Sequence, residues 1–180
     1  MNYFELFEIP FKASIDNTNV VKKYMDLQKK YHPDFFTLEN EAEKEDAEKK
    51  SADINKAYSI FKDKDKTLEY FLQQMDIVTT DEKYQLPPDF LMEIMDINEA
   101  VTEDNRETVN RLIDSLSYQL EDGVQEIFHK DEQSEYSADE LNRLKEYFYK
   151  KKYLKRILDR LSDWCNIATR LQSVKSSYIL

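Results

Sequence analysis

Residues 19–34 read NVVKKYMDLQKKYHPD, and their pattern gives the clearest indication of how the first part of the chain folds. Four apolar residues recur in it at intervals of four, three and four, a spacing that predicts a helix with one buried stripe. They are Val20, Tyr24, Leu27 and Tyr31. Because proline cannot continue a helix interior, Pro33 ends this helix. The tripeptide His32-Pro33-Asp34 is therefore expected in the loop that follows.

Three further helices are predicted around this stretch. Residues 3–7 form a short apolar helix that ends before Pro10, because proline disfavours helix at the preceding residue. A second long helix runs from about Asn40 to Phe61, and a short fourth helix covers residues 68–75. Together these elements predict an antiparallel helical hairpin that is braced at its base by two short helices.

The helical periodicity breaks at residues 78–88, where Pro87-Pro88 cannot continue a helix interior. Three more helical segments follow, at 89 to about 103, at about 105 to 129, and from Ser137 onward. Ser137 and Glu140 have the spacing of a capping box, which marks the start of the last segment. We therefore predict an all-α chain with an N-terminal domain at 1–77, a linker at 78–88 and a C-terminal three-helix bundle at 89–180.

The composition of the 180-residue chain agrees with an all-α fold. It has one Gly and four Pro, which leaves little room for the tight turns with positive φ that β-hairpins need. The net charge of −11 argues against a broad basic surface for non-specific binding of nucleic acid.

No pattern in the sequence indicates catalysis. There is no Gly-rich phosphate loop, no Gly-x-Ser-x-Gly and no His-Glu-x-x-His, and His32 and His129 fall in different modules. The single cysteine, Cys165, can form neither an intramolecular disulfide nor a cysteine-rich zinc site, and we expect it in a helix core. We expect a protein that is not an enzyme and has no metal or cofactor.

The sequence also shows neither a secretory signal nor a membrane-spanning stretch. Residues 1–8 lack a basic region and a long apolar core, which predicts no secretory signal. No stretch approaches the roughly 20 apolar residues that span a bilayer. We expect no membrane partner and a cytoplasmic location.

The loop at His32-Pro33-Asp34 is the first candidate site. Asp34, held rigidly beside Pro33, can offer its carboxylate to an arginine of a partner as a charge-assisted pair. The preceding helix adds a cationic face that can steer an acidic partner surface. Its residues are Lys22, Lys23, Lys29 and Lys30. The alternative is that Pro33 only ends a helix and Asp34 only forms a turn.

The helix after Pro88 is the second candidate site. At about 100° per residue, one face is apolar and is expected in the core; it holds Phe90, Ile94, Ile97 and Val101. The opposite face and its flank combine apolar with acidic side chains: Leu91, Met92, Met95, Asp96, Glu99 and Glu103. This mixture indicates an exposed docking surface, where flexible thioethers adapt to a partner. The alternative is that these side chains pack against the first module or the linker.

Residues 150–156 form a basic cluster with aromatic neighbours. Such a cluster is one of the patterns found in proteins that bind nucleic acid. The interpretation that we favour is a helix face paired with acidic residues of its neighbour, or a part of the docking surface, and we expect no nucleic acid partner.

A His-Pro-Asp loop between two such helices resembles the J domain, and the whole chain resembles the HscB family of J-domain co-chaperones. The segments that carry this resemblance are Tyr3-Phe4-Glu5-Leu6-Phe7, residues 26–34, Ile54-Asn55-Lys56-Ala57-Tyr58, Asp89-Phe90-Leu91-Met92-Glu93 and a lysine-rich tail with Tyr153-Leu154. The Phe-Leu-Met-Glu segment separates this family from other J proteins.

The resemblance implies two partners and no bond chemistry. His32, Pro33 and Asp34, with the four lysines, are expected to engage an HscA- or DnaK-type chaperone and stimulate its ATP hydrolysis. An IscU-type iron–sulfur scaffold is expected on a face formed by Leu91, Met92, Met95, Asp96, Glu99, Glu103 and Tyr153. Two alternatives stay open: a J-domain co-chaperone with a different client, and a structural protein whose second bundle only self-associates.

Overall fold

The computed structural model describes residues 2–32, 34, 41–80, 82–100, 105–131 and 134–177, and for Arg106 and residues 161–177 it describes the backbone alone. Within these ranges all regular secondary structure is helical, as the sequence predicts. The helices are α1 (Tyr3–Leu6), α2 (Asn17–Tyr31), α3 (Glu41–Phe61), α4 (Lys64–Gln74), α5 (Pro88–Glu99), α6 (Arg106–Asp122), α7 (Gln125–Phe128) and α8 (Ala138–Ser177).

Contacts divide the chain into two compact units. The first unit holds residues 1–82 and 125–142, and the second unit holds residues 83–124 and 143–180. The sequence-based division into 1–77, 78–88 and 89–180 stays a prediction.

In the first unit, both ends of α2 follow from local chemistry. The Asp16 side chain caps the helix by accepting a hydrogen bond of 2.9 Å from the Thr18 amide. The helix ends at Tyr31, and His32 has extended backbone angles of φ −66° and ψ 130°. A residue that precedes proline favours this conformation, because the proline ring clashes with helical backbone before it.

Side-chain contacts join α2 to α3. The rings of Tyr24 and Tyr58 stack with centroids 4.0 Å apart and planes 15° apart. The Asn55 side-chain oxygen accepts hydrogen bonds from the Tyr24 hydroxyl at 3.0 Å and from Gln28 Nε2 at 2.9 Å. Val20 is buried, whereas the other members of the α2 stripe are half-buried. Two helices are thus held side by side through one stripe of α2, which leaves its other faces to solvent.

An aromatic core holds the short helices against this hairpin. The ring of Phe61 on α3 lies 4.9 Å from Phe4 and 5.4 Å from Phe7, centroid to centroid. Phe71 and Leu72 of α4 are fully buried in the same unit. The bracing by α1 and α4 is as the sequence predicts.

At the ends of α1 and α4, the residue after the C-cap has a left-handed backbone although it is not glycine. Glu8 and Asp76 have φ of 48° and 56°, in the left-handed region, directly after the C-caps of α1 and α4. The next amide then donates back into the helix, from Ile9 to the Phe4 carbonyl and from Ile77 to the Leu72 carbonyl. This is the Schellman arrangement, here made at a cost of about 1 kcal/mol per non-glycine residue.

Residues 125–142 belong to the first unit and contact it through Tyr136. The Tyr136 hydroxyl accepts a hydrogen bond of 3.3 Å from the Ala13 amide, and its ring lies 4.9 Å from the ring of Phe71. Burial is the largest cause that raises the pKa of this phenol. A segment more than 100 positions along the chain therefore completes the packing around α4.

A Tyr136→Phe variant is expected to lower the free energy of unfolding by about 1 kcal/mol, because the part-buried Ala13 amide loses its acceptor. Urea denaturation measures this change. Tyr118→Phe is the matched control, since Tyr118 is 72% exposed, and it is expected to leave the midpoint unchanged. Equal midpoints for wild type and Tyr136→Phe would contradict the role of this bond.

The start of α8 has the capping box that the sequence predicts. The Ser137 amide donates to Glu140 Oε2 at 2.6 Å, and the Glu140 amide donates to Ser137 Oγ at 3.2 Å. Lys130 adds hydrogen bonds of 2.8 and 2.7 Å to the two carboxylate oxygens of Glu140. The Lys130 ammonium and the Ser137 amide lower the pKa of Glu140 from its ordinary 4.5 to about 2.

The lowered pKa of Glu140 gives a pH dependence with a definite sign. A carboxylate whose pKa is lower in the folded chain adds stability above its ordinary value of 4.5, and this stability is lost as the pH falls towards about 2. The difference in unfolding midpoint between wild type and Glu140→Gln is therefore expected to be constant above pH 4.5 and to shrink below it. A difference that grows on acidification would contradict this assignment.

In the second unit, α5, α6 and α8 share one hydrophobic core. Its buried members are Phe90, Ile94, Ile97, Val109, Ile113, Leu116, Leu154 and Ile157, with Tyr153 and three others packed at the edge. This set includes the α5 face that the sequence assigns to the core; Val101 lies outside the described residues.

The helix predicted at 105–129 is wrong as one continuous element. It breaks at Gly123, the C-cap of α6, and resumes as the single turn of α7. The Val124 amide bonds to the Glu121 carbonyl, three residues back, instead of continuing the α-helical ladder. Glycine is among the weakest helix formers, so one such residue is enough to favour the interruption. The predicted end of α5 near Glu103 also differs, since α5 ends at Glu99 with Ala100 as its C-cap.

Candidate functional site

The loop after α2 brings His32 and Asp34 together. The Asp34 amide lies 3.3 Å from His32 Nδ1 as a hydrogen-bond donor, and Asp34 Oδ2 lies 3.6 Å from the same nitrogen. The side chains are 47% and 83% exposed, respectively. Pro33 and the residues at 35–40 lie outside the described residues. The imidazole thus contacts both the backbone and the carboxylate of Asp34, and an exposed carboxylate is presented at the end of α2.

The four lysines of α2 fall into two pairs. Lys22 and Lys29 are exposed and seven residues apart, on one face, and within the described part of the chain neither has a salt-bridge partner. Lys23 instead bonds Glu8 at 2.6 Å and lowers the pKa of that carboxyl, and the Lys30 ammonium lies 5.1 Å from the ring centroid of Tyr31. Lys22 and Lys29 are therefore the lysines that are best placed to meet a partner.

Contacts within the hairpin also hold the surroundings of the loop. Lys50 of α3 lies with its ammonium 5.2 Å from the ring of Tyr31, the last residue of α2. It also bonds Asp46 at 2.8 Å, which raises the pKa of Lys50. The contact of Lys50 with Tyr31 and the Asn55 hydrogen bonds position α2 on α3 from within the same unit.

The α5 surface has the composition that the sequence predicts. Met92 and Met95 are 64% and 59% exposed, and Leu91 lies at 36%. Asp96 and Glu99 are exposed on the same helix, and Glu103 lies outside the described residues. A continuous run of exposed apolar and acidic side chains therefore lies opposite the buried face of α5.

Tyr153, the last member of the predicted scaffold-binding set, is half-buried on α8. Its ring is 6.3 Å from the ring of Phe90, edge to face, and it packs against the core of the second unit. Phe90 is a buried core residue of α5, so Tyr153 contacts α5 on the side of the core. The structure therefore places Tyr153 against the core side of α5, and its part in a scaffold-binding face stays a prediction.

The basic cluster at 150–156 is occupied by contacts within the second unit. Lys150 bonds Glu146 at 2.5 Å, and Lys151 bonds Glu121 at 3.5 Å. The ammonium of Lys152 lies 5.1 Å from the ring of Phe148. The Lys151–Glu121 pair joins α8 to α6, as that interpretation expects, whereas the other two contacts lie within α8.

Two exposed apolar residues on α2 were missed by the sequence reasoning. Val21 and Met25 lie off the buried stripe and are 41% and 54% exposed. The signal that points to them is an i, i+4 apolar pair outside the 4-3-4 spacing of that stripe.

The described residues form neither a metal site nor a membrane span. Among them no group of three or more His, Cys, Asp or Glu side chains is arranged to hold a metal ion. None of their helices has the length and apolar character to cross a membrane. The side chain of Cys165 lies outside the described residues.

Two family models match the chain. One, described as DnaJ domain, matches residues 2–70. The other, described as HSCB C-terminal oligomerisation domain, matches residues 86–162. The first match includes the α2–α3 loop, and the second includes α5.

Similar proteins and structures agree with these matches. The chain is 33% identical over 152 residues to the co-chaperone protein HscB homolog of Psychromonas ingrahamii, which covers 81% of this chain and 89% of that protein. It is 36% identical over 104 residues to the homolog of Vibrio vulnificus, covering 57% of this chain and 61% of the relative.

Solved structures show the same fold. The crystal structure of human co-chaperone protein HscB superposes with a TM-score of 0.72 at 26% identity, over 90% of this chain and 81% of that one. The chaperone HscB from Vibrio cholerae has a TM-score of 0.57 at 26% identity, over 89% and 99%. With a J domain followed by the family's C-terminal domain, the chain belongs to the HscB family of J-domain co-chaperones.

Proposed function

We propose that this chain stimulates ATP hydrolysis by an HscA- or DnaK-type chaperone and delivers an IscU-type iron–sulfur scaffold to it during cluster assembly or transfer. The observation that carries the proposal is that one chain bears two exposed surfaces of different chemistry. The loop after α2 carries His32 and Asp34 and follows a helix with exposed Lys22 and Lys29, and the α5 surface is apolar and acidic.

The chaperone is proposed to bind at the loop after α2. Asp34 accepts a charge-assisted hydrogen bond from an arginine of the chaperone, a contact that is roughly twice as strong as a neutral one. His32 holds Asp34 by accepting a hydrogen bond from the Asp34 amide at Nδ1. Lys22 and Lys29 steer an acidic surface of the chaperone towards the loop, an effect that raises the association rate and falls with salt. Pro33, Lys23 and Lys30 complete the proposed set.

The scaffold is proposed to bind at the α5 surface. Leu91, Met92 and Met95 supply apolar area that a partner can cover, and methionine side chains adapt their shape to it. Asp96, Glu99 and Glu103 favour a basic surface on the scaffold, and Tyr153 supports the margin of the site. The chain itself forms and breaks no covalent bond.

Tethering explains how two binding surfaces produce one activity. When the scaffold and the chaperone are held by the same chain, their encounter becomes intramolecular, and the effective concentration reaches the millimolar range for short connections. The scaffold then reaches the chaperone at cellular concentrations that are too low for direct encounter.

Isothermal titration calorimetry with the IscU-type scaffold of the same organism tests the client. A saturable one-to-one complex is expected, with an affinity that falls as salt is added because acidic side chains contribute. The absence of any heat, together with separate elution from a sizing column, would assign the J domain to another client. A cytoplasmic location remains part of the proposal.

A further inference from the structure

We infer that Val21 and Met25 form an apolar contact with the HscA- or DnaK-type chaperone, on the side of α2 that carries Lys22 and Lys29. This inference rests on the proposed function. It adds an apolar contribution to the affinity, which salt does not screen. The partner surface that it requires is apolar at its centre and acidic at its rim.

Exposure separates these two residues from the core of the first unit. Among the described residues of that unit, the exposed large apolar side chains are Phe11, Val21 and Met25. Phe11 packs its ring against Phe4 and Phe71, at centroid distances of 4.9 and 5.0 Å. Val21 and Met25 lie instead on faces of α2 away from its buried stripe, 41% and 54% exposed.

The helical register places Met25 between two lysines. Lys22 precedes Met25 by three residues and Lys29 follows it by four, so the three side chains share one face of α2. Val21, four residues before Met25, lies at the edge of the same face. An apolar centre with a charged rim is the arrangement of many protein–protein interfaces.

Charge indicates that this face fits an acidic surface, and its position beside the loop after α2 selects the chaperone as the partner. Lys22 and Lys29 are exposed and, in the part of the chain that the structure describes, form no salt bridge, although the chain as a whole carries a net charge of −11. A second copy of this acidic chain would also bring carboxylates to the face, but it would not account for the position of the face beside His32 and Asp34. The chaperone that is proposed to bind at the loop lies beside this face, because α2 ends at Tyr31 and leads directly into His32.

The double variant Val21→Thr/Met25→Gln tests the inference. Both changes keep the size of the side chain, and Thr keeps the branched Cβ of Val. The readout is the concentration of this protein that gives half-maximal stimulation of ATP hydrolysis by the DnaK-type chaperone of the same organism. It is measured at about 50 mM and about 500 mM salt, and at the higher value the Debye length is about 4 Å.

The expected result is a rise of about tenfold in the half-maximal concentration at both salt concentrations, as for the loss of two partly buried apolar contacts. Lys22→Gln/Lys29→Gln is expected to raise it mainly at low salt, because the contribution of exposed charges is screened. Leu112→Gln/Leu158→Gln is the matched control: both side chains are exposed, at 43% and 39%, and both lie in the second unit. This control is expected to behave as wild type.

Three results would overturn the inference. In the first, Val21→Thr/Met25→Gln behaves as wild type at both salt concentrations, while His32→Gln loses the stimulation that wild type gives. This result would contradict the apolar contact but would agree with the proposed function. An equal loss in the Leu112→Gln/Leu158→Gln control shows a general effect of removing surface apolar groups. No stimulation by the folded wild-type protein overturns the inference and the proposed function together. Circular dichroism confirms the fold of each variant.

Discussion

His32→Gln is expected to abolish stimulation of the chaperone's ATPase while the protein stays folded. His32 is exposed, so its replacement leaves the core of the first unit intact. The imidazole contacts the Asp34 amide and carboxylate through one rigid ring. Glutamine can accept the Asp34 amide hydrogen bond with its side-chain oxygen, but its additional rotatable bonds must be ordered, which costs free energy and loosens the position of Asp34.

The magnitude follows from the interaction that Asp34 is proposed to make. A hydrogen bond to a charged group contributes about 1.5–3 kcal/mol, which corresponds to roughly 10- to 150-fold in affinity. At a concentration of this protein near the half-maximal value of wild type, stimulation by the variant then falls close to the basal rate of the chaperone. Steady-state ATP hydrolysis measures it.

The chain supplies its own control for this substitution. His129 is the second histidine, and it too is exposed, with Nδ1 2.8 Å from the Gln125 carbonyl oxygen. His129→Gln is expected to stimulate as wild type does. Full stimulation by a folded His32→Gln variant would contradict the assignment of the loop.

Met92→Ala with Met95→Ala is expected to weaken scaffold binding by about 10- to 100-fold, since burial of one methionine side chain contributes about 1.5–3 kcal/mol and part of this is retained by alanine. Alanine is the strongest helix former, so α5 itself is not weakened. The two side chains are 64% and 59% exposed, so no core packing is lost. Calorimetry with the scaffold measures the affinity.

Basal stimulation of the chaperone by the Met92→Ala/Met95→Ala variant, without scaffold, is expected to equal that of wild type. Leu112→Ala with Leu158→Ala removes a similar apolar area from exposed positions of the same unit and serves as the control. Unchanged scaffold affinity in the methionine variant would show that the α5 surface is not the scaffold site.

Much of the fold is predictable because it depends on local chemistry. The end of α2 follows from the steric effect of Pro33 on its predecessor, and the start of α8 follows from the reciprocal bonds of Ser137 and Glu140. The buried face of α5 follows from helical periodicity alone. The same periodicity identifies the residues of its exposed face.

The remaining features depend on contacts between residues distant in sequence. The position of Tyr136 beside Ala13 and Phe71 has no signal in local spacing. The difference between Lys23 and the other lysines of α2 depends on Glu8. Glu8 follows α1 and forms a salt bridge with Lys23. The break at Gly123 has a local cause, but a single glycine is also tolerated within helices, so the pattern alone did not decide it.

Steady-state ATP hydrolysis by the HscA- or DnaK-type chaperone, with this protein, with the IscU-type scaffold and with both, shows whether this one chain engages both partners. The proposal predicts stimulation by this protein alone and a further rise, beyond the sum of the separate effects, when the scaffold is added. Stimulation that is indifferent to the scaffold would contradict delivery of this client, and no stimulation at all would contradict the assignment of the loop after α2.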